Sequence, residues 1–323
     1  MFQLAHLASH GVADQNAMAS LTATGTGAVQ IRWSEQRLTQ RLALLCAHLV
    51  VALVALVGIG GATRVMEAGL ACPDWPLCYG SLLPGGRMNM QVFLEWFHRL
   101  DAFVVGVALL VLCAVSILQR RRLPGWVPWL GAIALVLVAI QGGLGAITVL
   151  ALLPSVVVTA HLAMALLLVA VISAASQQLL SVDQPSRQAR GLGWIWVVLA
   201  SLSLVAVLAQ CLLGGAMATQ WAAERCLASG QDCQWLTAHR HLGSFAAVAV
   251  AVQAVAALRL PVRPLVRGLS LAAAGLVLGQ LALGLSSWHL QLTAPLVTVA
   301  HQVVAALLVA VLTAGVSREV AHG

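Results

Sequence analysis

Residues 72–99 read CPDWPLCYGSLLPGGRMNMQVFLEWFHR, and the rest of the chain is read outward from this stretch. It opens as a polar loop with two cysteines, Cys72 and Cys78, and closes inside an apolar run that carries Glu95, His98 and Arg99. The chain has 323 residues, of which 61% are hydrophobic and only 8% charged. A soluble domain carries roughly 25% charged residues. Apolar runs long enough to cross a bilayer as helices recur along the whole length, so the chain reads as an all-α integral membrane protein. Ionisable groups are costly at membrane depth, which makes Glu95 and His98 functional candidates.

Eight spans are expected, at residues 42–62, 92–118, 126–149, 155–180, 193–217, 238–258, 267–288 and 295–317. The net charge of +7 comes entirely from arginine and gathers in alternate loops, as membrane topology requires, so it is not a nucleic-acid signal. Arg32, Arg37 and Arg41, then Arg120 to Arg122, Arg187 and Arg190, Arg259, Arg263 and Arg267, and Arg318 all fall on one side. The positive-inside rule makes that side the cytoplasm, with both termini inside and the cysteine loops outside. Cys72, Cys78, Cys226 and Cys233 are then placed where disulfides persist, and two disulfides fit better than a four-cysteine zinc site. Cys46, Cys113 and Cys211 lie in apolar runs as small packing residues. Residues 1–40 read as a disordered cytoplasmic tail.

The chain repeats itself. GIGGATR (58–64) ends the first span and LLGGAMAT (212–219) the fifth; each precedes a long cysteine loop and a span opening with His-Arg, at WFHRL (96–100) and TAHRH (237–241). QGGLGAIT (141–148) and GQLALGLSS (279–287) each lead to a span with an early histidine, in VVVTAHLAMALLL (156–168) and LVTVAHQVVAALL (296–308). Residues 41–182 and 183–323 are therefore two copies of one four-helix bundle, related pseudo-symmetrically about an axis along the membrane normal.

The repeated histidines are His98, His161, His239 and His301, all in the first turns of even-numbered spans and hence at similar depth. In an antiparallel four-helix bundle, helices two and four can face each other across the core. Two opposed imidazoles with a flat gap between them suit a haem with two axial histidines. Glycine-rich ends of the odd spans leave room for a macrocycle. Arg99 and Arg240 are natural partners for its propionates. His241 stands as an alternative to His239, which the alignment of the His-Arg dipeptides favours. Glu95 lies one turn before His98, whereas Leu236 holds that place in the second half, so the first half reads as the reactive site.

With its GGxTR ending of span 1, CPDWPLCYG loop, ExxHR entry to span 2 and paired histidines, the chain resembles haem A synthase over residues 40–318. The resemblance implies substrate-haem ligands His98 and His161, haem b ligands His239 and His301, the catalytic acid Glu95, and disulfides Cys72–Cys78 and Cys226–Cys233. It further implies oxidation of the C8 methyl of haem O to the formyl of haem A in the cell membrane. Expected partners are membrane lipid, haem O synthase, cytochrome oxidase assembly factors and an electron acceptor of unspecified identity. Two other classes share some of these features. One is a di-haem cytochrome that only passes electrons. The other is a transporter, which would place its binding groups in broken helices at mid-membrane.

Overall fold

The computed structural model describes residues 5–182, 193–218 and 233–321, with side chains from residue 35 onward. Its helices are α1 (Ala5–Val65), α2 (Met90–Leu118), α3 (Val127–Leu150), α4 (Ser155–Ser181), α5 (Gly193–Met217), α6 (Gln234–Arg259), α7 (Pro264–His289) and α8 (Pro295–Val320). All eight are long and apolar enough to cross a membrane, α1 through its Glu35–Val65 part. The chain is thus an all-helical, multi-pass membrane protein, as the hydropathy demands. The backbone of α1 differs from expectation in running back as helix to Ala5, through the stretch read as a disordered tail. No proline interrupts residues 1–72, and the alanines there favour helix. The expected boundary between the two copies, residues 182–192, lies almost wholly outside the described residues.

Starts and stops are local chemistry. The side chain of Asn89 caps α2 by accepting from the Val92 N–H at 2.9 Å. Proline at the first turn opens α3, α7 and α8. Three odd helices end alike. Ala68 N–H donates to Thr63 O, Leu153 to Thr148 O and Leu292 to Ser287 O, each a reach-back closure over a left-handed residue, Glu67, Leu152 or Gln291.

α1 packs on α2 and α4, and α3 on α2 and α4, so the first four helices close a ring in which α2 and α4 face across. The same ring recurs among α5 to α8, and the two rings join where α8 meets α1 and α4 and where α4 meets α5. Ser173 Oγ donates to Ala310 O at 2.8 Å and Ser176 Oγ to Ala43 O at 3.2 Å, tying α4 to α8 and to α1. Polar hydroxyls on carbonyls of neighbouring helices are a recurrent membrane fastening. The dense core includes Leu49, Leu53, Leu109, Leu166, Ile172, Val250 and Leu312. In each even helix it begins beyond the repeated histidine, so the end away from the cysteine loop is solid.

Outward faces carry large apolar side chains such as Val51, Val104, Val136, Phe245 and Leu278, as lipid contact requires. Trp129 and Trp194 are exposed near one set of helix ends, Trp235 and Trp288 near the other. This matches the aromatic belts of the two membrane interfaces. Because a β-branched residue is strained at positive φ, Gln291→Val should lower the thermal midpoint in detergent by an amount worth about 1–2 kcal/mol, whereas Gln291→Gly should not lower it.

Candidate functional site

The four repeated histidines line one cavity of about 2910 Å³ at the cysteine-loop end of the helices. Pockets for drug-sized ligands run to roughly 300–1,000 Å³, so this space accommodates more than one large ligand. His98 is within electrostatic reach of His161, and His239 of His301. Among the described residues no three His, Cys, Asp or Glu side chains gather as a metal cluster, so the imidazoles come as pairs.

Each imidazole lies against a glycine of the preceding helix. A Cβ added at Gly60 would sit 3.0 Å from His98 Cε1, at Gly145 3.6 Å from His161 Cε1, at Gly214 2.8 Å from His239 Cε1, and at Gly284 3.2 Å from His301 Cε1. Three of these glycines stand seven residues before the left-handed residue that ends their helix, at Glu67, Leu152 and Gln291. That constant interval sets those imidazoles at a common distance from the helix ends. The depth inferred from sequence therefore has a local cause.

The rings are poorly satisfied by protein. Nδ1 of His98, His161 and His301 is buried without a hydrogen-bond partner, as is Oε1 of Gln141, Gln210 and Gln280. Buried polar atoms are normally partnered, so such a concentration in one cavity marks a place built for a ligand. Two imidazoles with free ring nitrogens and a glycine floor fit an iron macrocycle held by two axial histidines.

The glutamines were not anticipated. Gln141, Gln210 and Gln280 each precede their glycine by one turn, a regularity visible in the repeat once the glycines are aligned. Gln210 Nε2 lies 3.0 Å from His239 Nδ1 and donates to His239 O at 2.9 Å, and Gln280 Nε2 lies 3.2 Å from His301 Nε2. Leu56 takes the corresponding place before Gly60, so His98 has no such amide.

His239 and His241 separate cleanly. His239 is half-buried on Gly214, while His241 is exposed and does not line the cavity. His48 turns back on its own helix, 2.7 Å from Leu44 O, rather than reaching a neighbour. His289 is the last residue of α7 and lines the cavity. Cys46 and Cys113 are buried as expected, but Cys211 is half-buried and lines the cavity.

The cysteine loop folds onto α2. Cys72 and Cys78 are joined by a disulfide; the second expected pair, Cys226–Cys233, reaches outside the described residues at Cys226. Glu95 is buried, with Oε2 accepting from Cys72 N–H at 2.8 Å and Oε1 paired with Arg99. Arg99 also donates to the carbonyls of Cys72, Asp74 and Leu77. Its guanidinium is thus spent on the loop, which argues against the propionate role expected of it. Arg240 is exposed and lines the cavity.

Asp74 holds the far side of the loop, accepting from Gly80 N–H at 2.7 Å and Tyr79 N–H at 2.6 Å. These donors, Gly80 foremost, hold its carboxyl below the usual carboxylate range, with the charge of Arg99 adding to the effect.

Fold and site together define a multi-pass helical membrane protein with two pairs of half-buried imidazoles opening on one cavity. Residues 40–313 match the model of the COX15-CtaA family, described as cytochrome oxidase assembly protein. The chain belongs to that family. It is 30% identical over 211 residues to "Heme A synthase" of Shewanella oneidensis, covering 57% of this chain and 59% of that protein. It is 34% identical over 130 residues to "Heme A synthase" of Chelativorans, covering 37% of this chain and 35% of that protein. A stretch of 103 residues is 35% identical to "Protoheme IX farnesyltransferase" of Haloarcula marismortui, covering 32% of this chain and 21% of that protein. The chain thus spans less than two thirds of the length of these curated relatives.

Two predictions follow from the geometry. Gly214→Ala must displace the His239 ring, and overpacking of this kind costs about 1–3 kcal/mol. Gly145→Ala makes ordinary contact and gains helix propensity, so it should be neutral or stabilising in the same thermal melt. The Asp74 carboxyl titrates lower in the folded loop than in the unfolded chain. Its stabilisation is therefore complete above about pH 4 and is lost as pH falls through the lower folded value. Hydrogen exchange of the Tyr79 and Gly80 amides, corrected for intrinsic rate, should rise only at that acidic end, and Asp74→Asn should abolish the pH dependence.

Proposed function

We propose that this chain acts in haem A biosynthesis, oxidising the C8 methyl of haem O to the formyl of haem A for cytochrome oxidase. The observation that carries the reading is the set of two imidazole pairs, each ring seated on glycine, with an acid beside only the first pair. The family match and the similarity to proteins named "Heme A synthase" support it. In this reading His98 and His161 hold the substrate haem, and His239 and His301 hold a resident haem b. His239, not His241, is the third ligand, because only its ring faces the cavity. The arginine distribution and the Cys72–Cys78 disulfide support a cytoplasmic placing of the termini and an extracytoplasmic placing of the loop.

Conversion of a methyl to a formyl group with oxygen from water releases four electrons and four protons; the haem irons supply the redox chemistry and an external acceptor takes the electrons. The chain's own residues position and stabilise. Glu95 is held at both carboxylate oxygens, by Cys72 N–H and by Arg99, so it presents a negative charge that does not reorient. Such a preorganised charge stabilises positive charge developing on an adjacent carbon. Gln210 and Gln280 steady the second pair, as suits a haem that stays in place, and His98 lacks an amide, as suits a ligand that must accept and release substrate.

Haem extraction with mass spectrometry tests the reading. Expressing cells should accumulate formyl-bearing haem, and Glu95→Gln should cut it at least about tenfold while leaving bound haem in place. His301→Ala should lose haem b, and His98→Ala should not. Bound haem without formyl product, in cells that supply haem O, would favour an electron-carrying cytochrome.

A further inference from the structure

Arg64 closes the GGATR stretch and plays no part in the site as drawn from sequence. It stands one turn beyond Gly60, the glycine under His98, and it lines the cavity. Its Nη1 donates to Ala218 O at 3.2 Å, across the seam between the two sets of four helices. Ala218 is the residue at the same interval from Gly214, so the two corresponding positions of the repeat meet there. One bears a guanidinium and the other a methyl group.

Arg99 pairs with Glu95, and among the described residues no carboxylate pairs with Arg64. A half-buried cation facing a mostly apolar cavity calls for an anion. Among the described residues three arginines line this cavity: Arg64, Arg99 and Arg240. Arg99 is engaged by three loop carbonyls and Glu95. Arg240 follows His239 in the second half. The first pair is left with Arg64.

We propose that Arg64 is the carboxylate-binding residue of the first site, pairing with a side-chain carboxylate of the macrocycle held between His98 and His161. This rests on the reading given under Proposed function and adds to it the group that orients the substrate. A planar fork of N–H donors suits a carboxylate, and the contact to Ala218 O directs the guanidinium from one end. One carboxylate fixed beyond His98 restricts rotation of the macrocycle about its iron–histidine axis. Arg64 would thereby determine which edge faces Glu95.

The test varies both partners. The purified full-length chain, freed of haem in detergent, is titrated with ferric protoporphyrin IX and with its dimethyl ester, and Soret absorbance is followed. The first-site component is the part that His98→Ala removes. The unaltered chain should bind the free acid about tenfold or more tighter than the ester at that site. Arg64→Gln should lose that preference by weakening only the free acid, and Arg64→Lys should restore part of it. Arg99→Gln should weaken both forms alike, through the loop. Equal loss of both forms in Arg64→Gln, or equal binding of acid and ester by the unaltered chain, overturns the proposal. The second comparison needs no Arg64 variant, so it stands even if Arg64→Gln does not fold. Absence of any porphyrin binding by the unaltered chain would instead overturn the reading on which the proposal rests.

Discussion

The contact between an imidazole edge and a glycine backbone governs this molecule. It occurs at Gly60, Gly145, Gly214 and Gly284, and at three of them an added methyl would come within 3.2 Å of ring carbon. A histidine can approach a helix this closely only where no Cβ stands in the way. The demand propagates. Odd helices must end glycine-rich, and helices made of small residues leave space at that end. The large side chains that make the core, from Leu49 to Leu312, collect at the other end. A bundle dense at one end and open at the other follows from where its glycines lie.

On that common frame the two halves part ways. The first has Glu95 before His98 and Arg64 beyond Gly60; the second has Leu236 and Ala218 in those places. The second has Gln210 and Gln280 against its imidazoles, and the first has Leu56 where one of these would stand. Glu95 and Arg64 sit in the half proposed to do chemistry, and both imidazoles of the half proposed to keep its cofactor have an amide against them, whereas His98 has none. An amide partner restrains a ring without adding charge to a buried site, whereas a fixed carboxylate or guanidinium selects which ligand edge is tolerated.

Much of this was legible in the sequence because it depends on composition and period. Apolar runs give spans whose ends fall within four residues of the observed helices everywhere but the start of α1, and the duplicated histidines give part of the cavity lining. What was not legible depends on how the loop closes. Nothing in EWFHR tells whether Arg99 turns into the cavity or up to the carbonyls of Cys72, Asp74 and Leu77; the fold of the disulfide loop decides it. The role proposed for Arg64 is silent in the sequence for the same reason, since it depends on where Arg99 turns. The glutamines were hidden by being ordinary residues in apolar helices. Their meaning comes from an interval to a glycine, and that glycine had first to be recognised as a floor.

The doubled glycines carry one more consequence. In Gly60–Gly61 the first residue lies under His98, while a Cβ on the second would collide with Gln302 Oε1, and Gln302 follows His301 of the other half. In Gly214–Gly215 the first lies under His239, and a Cβ on the second would come 2.7 Å from Leu162 Cδ2, next to His161 of the first half. Each dipeptide thus touches one imidazole of its own half and the neighbour of an imidazole from the other. The two glycines of each pair therefore serve different contacts, the first the imidazole of its own half and the second the seam between the halves.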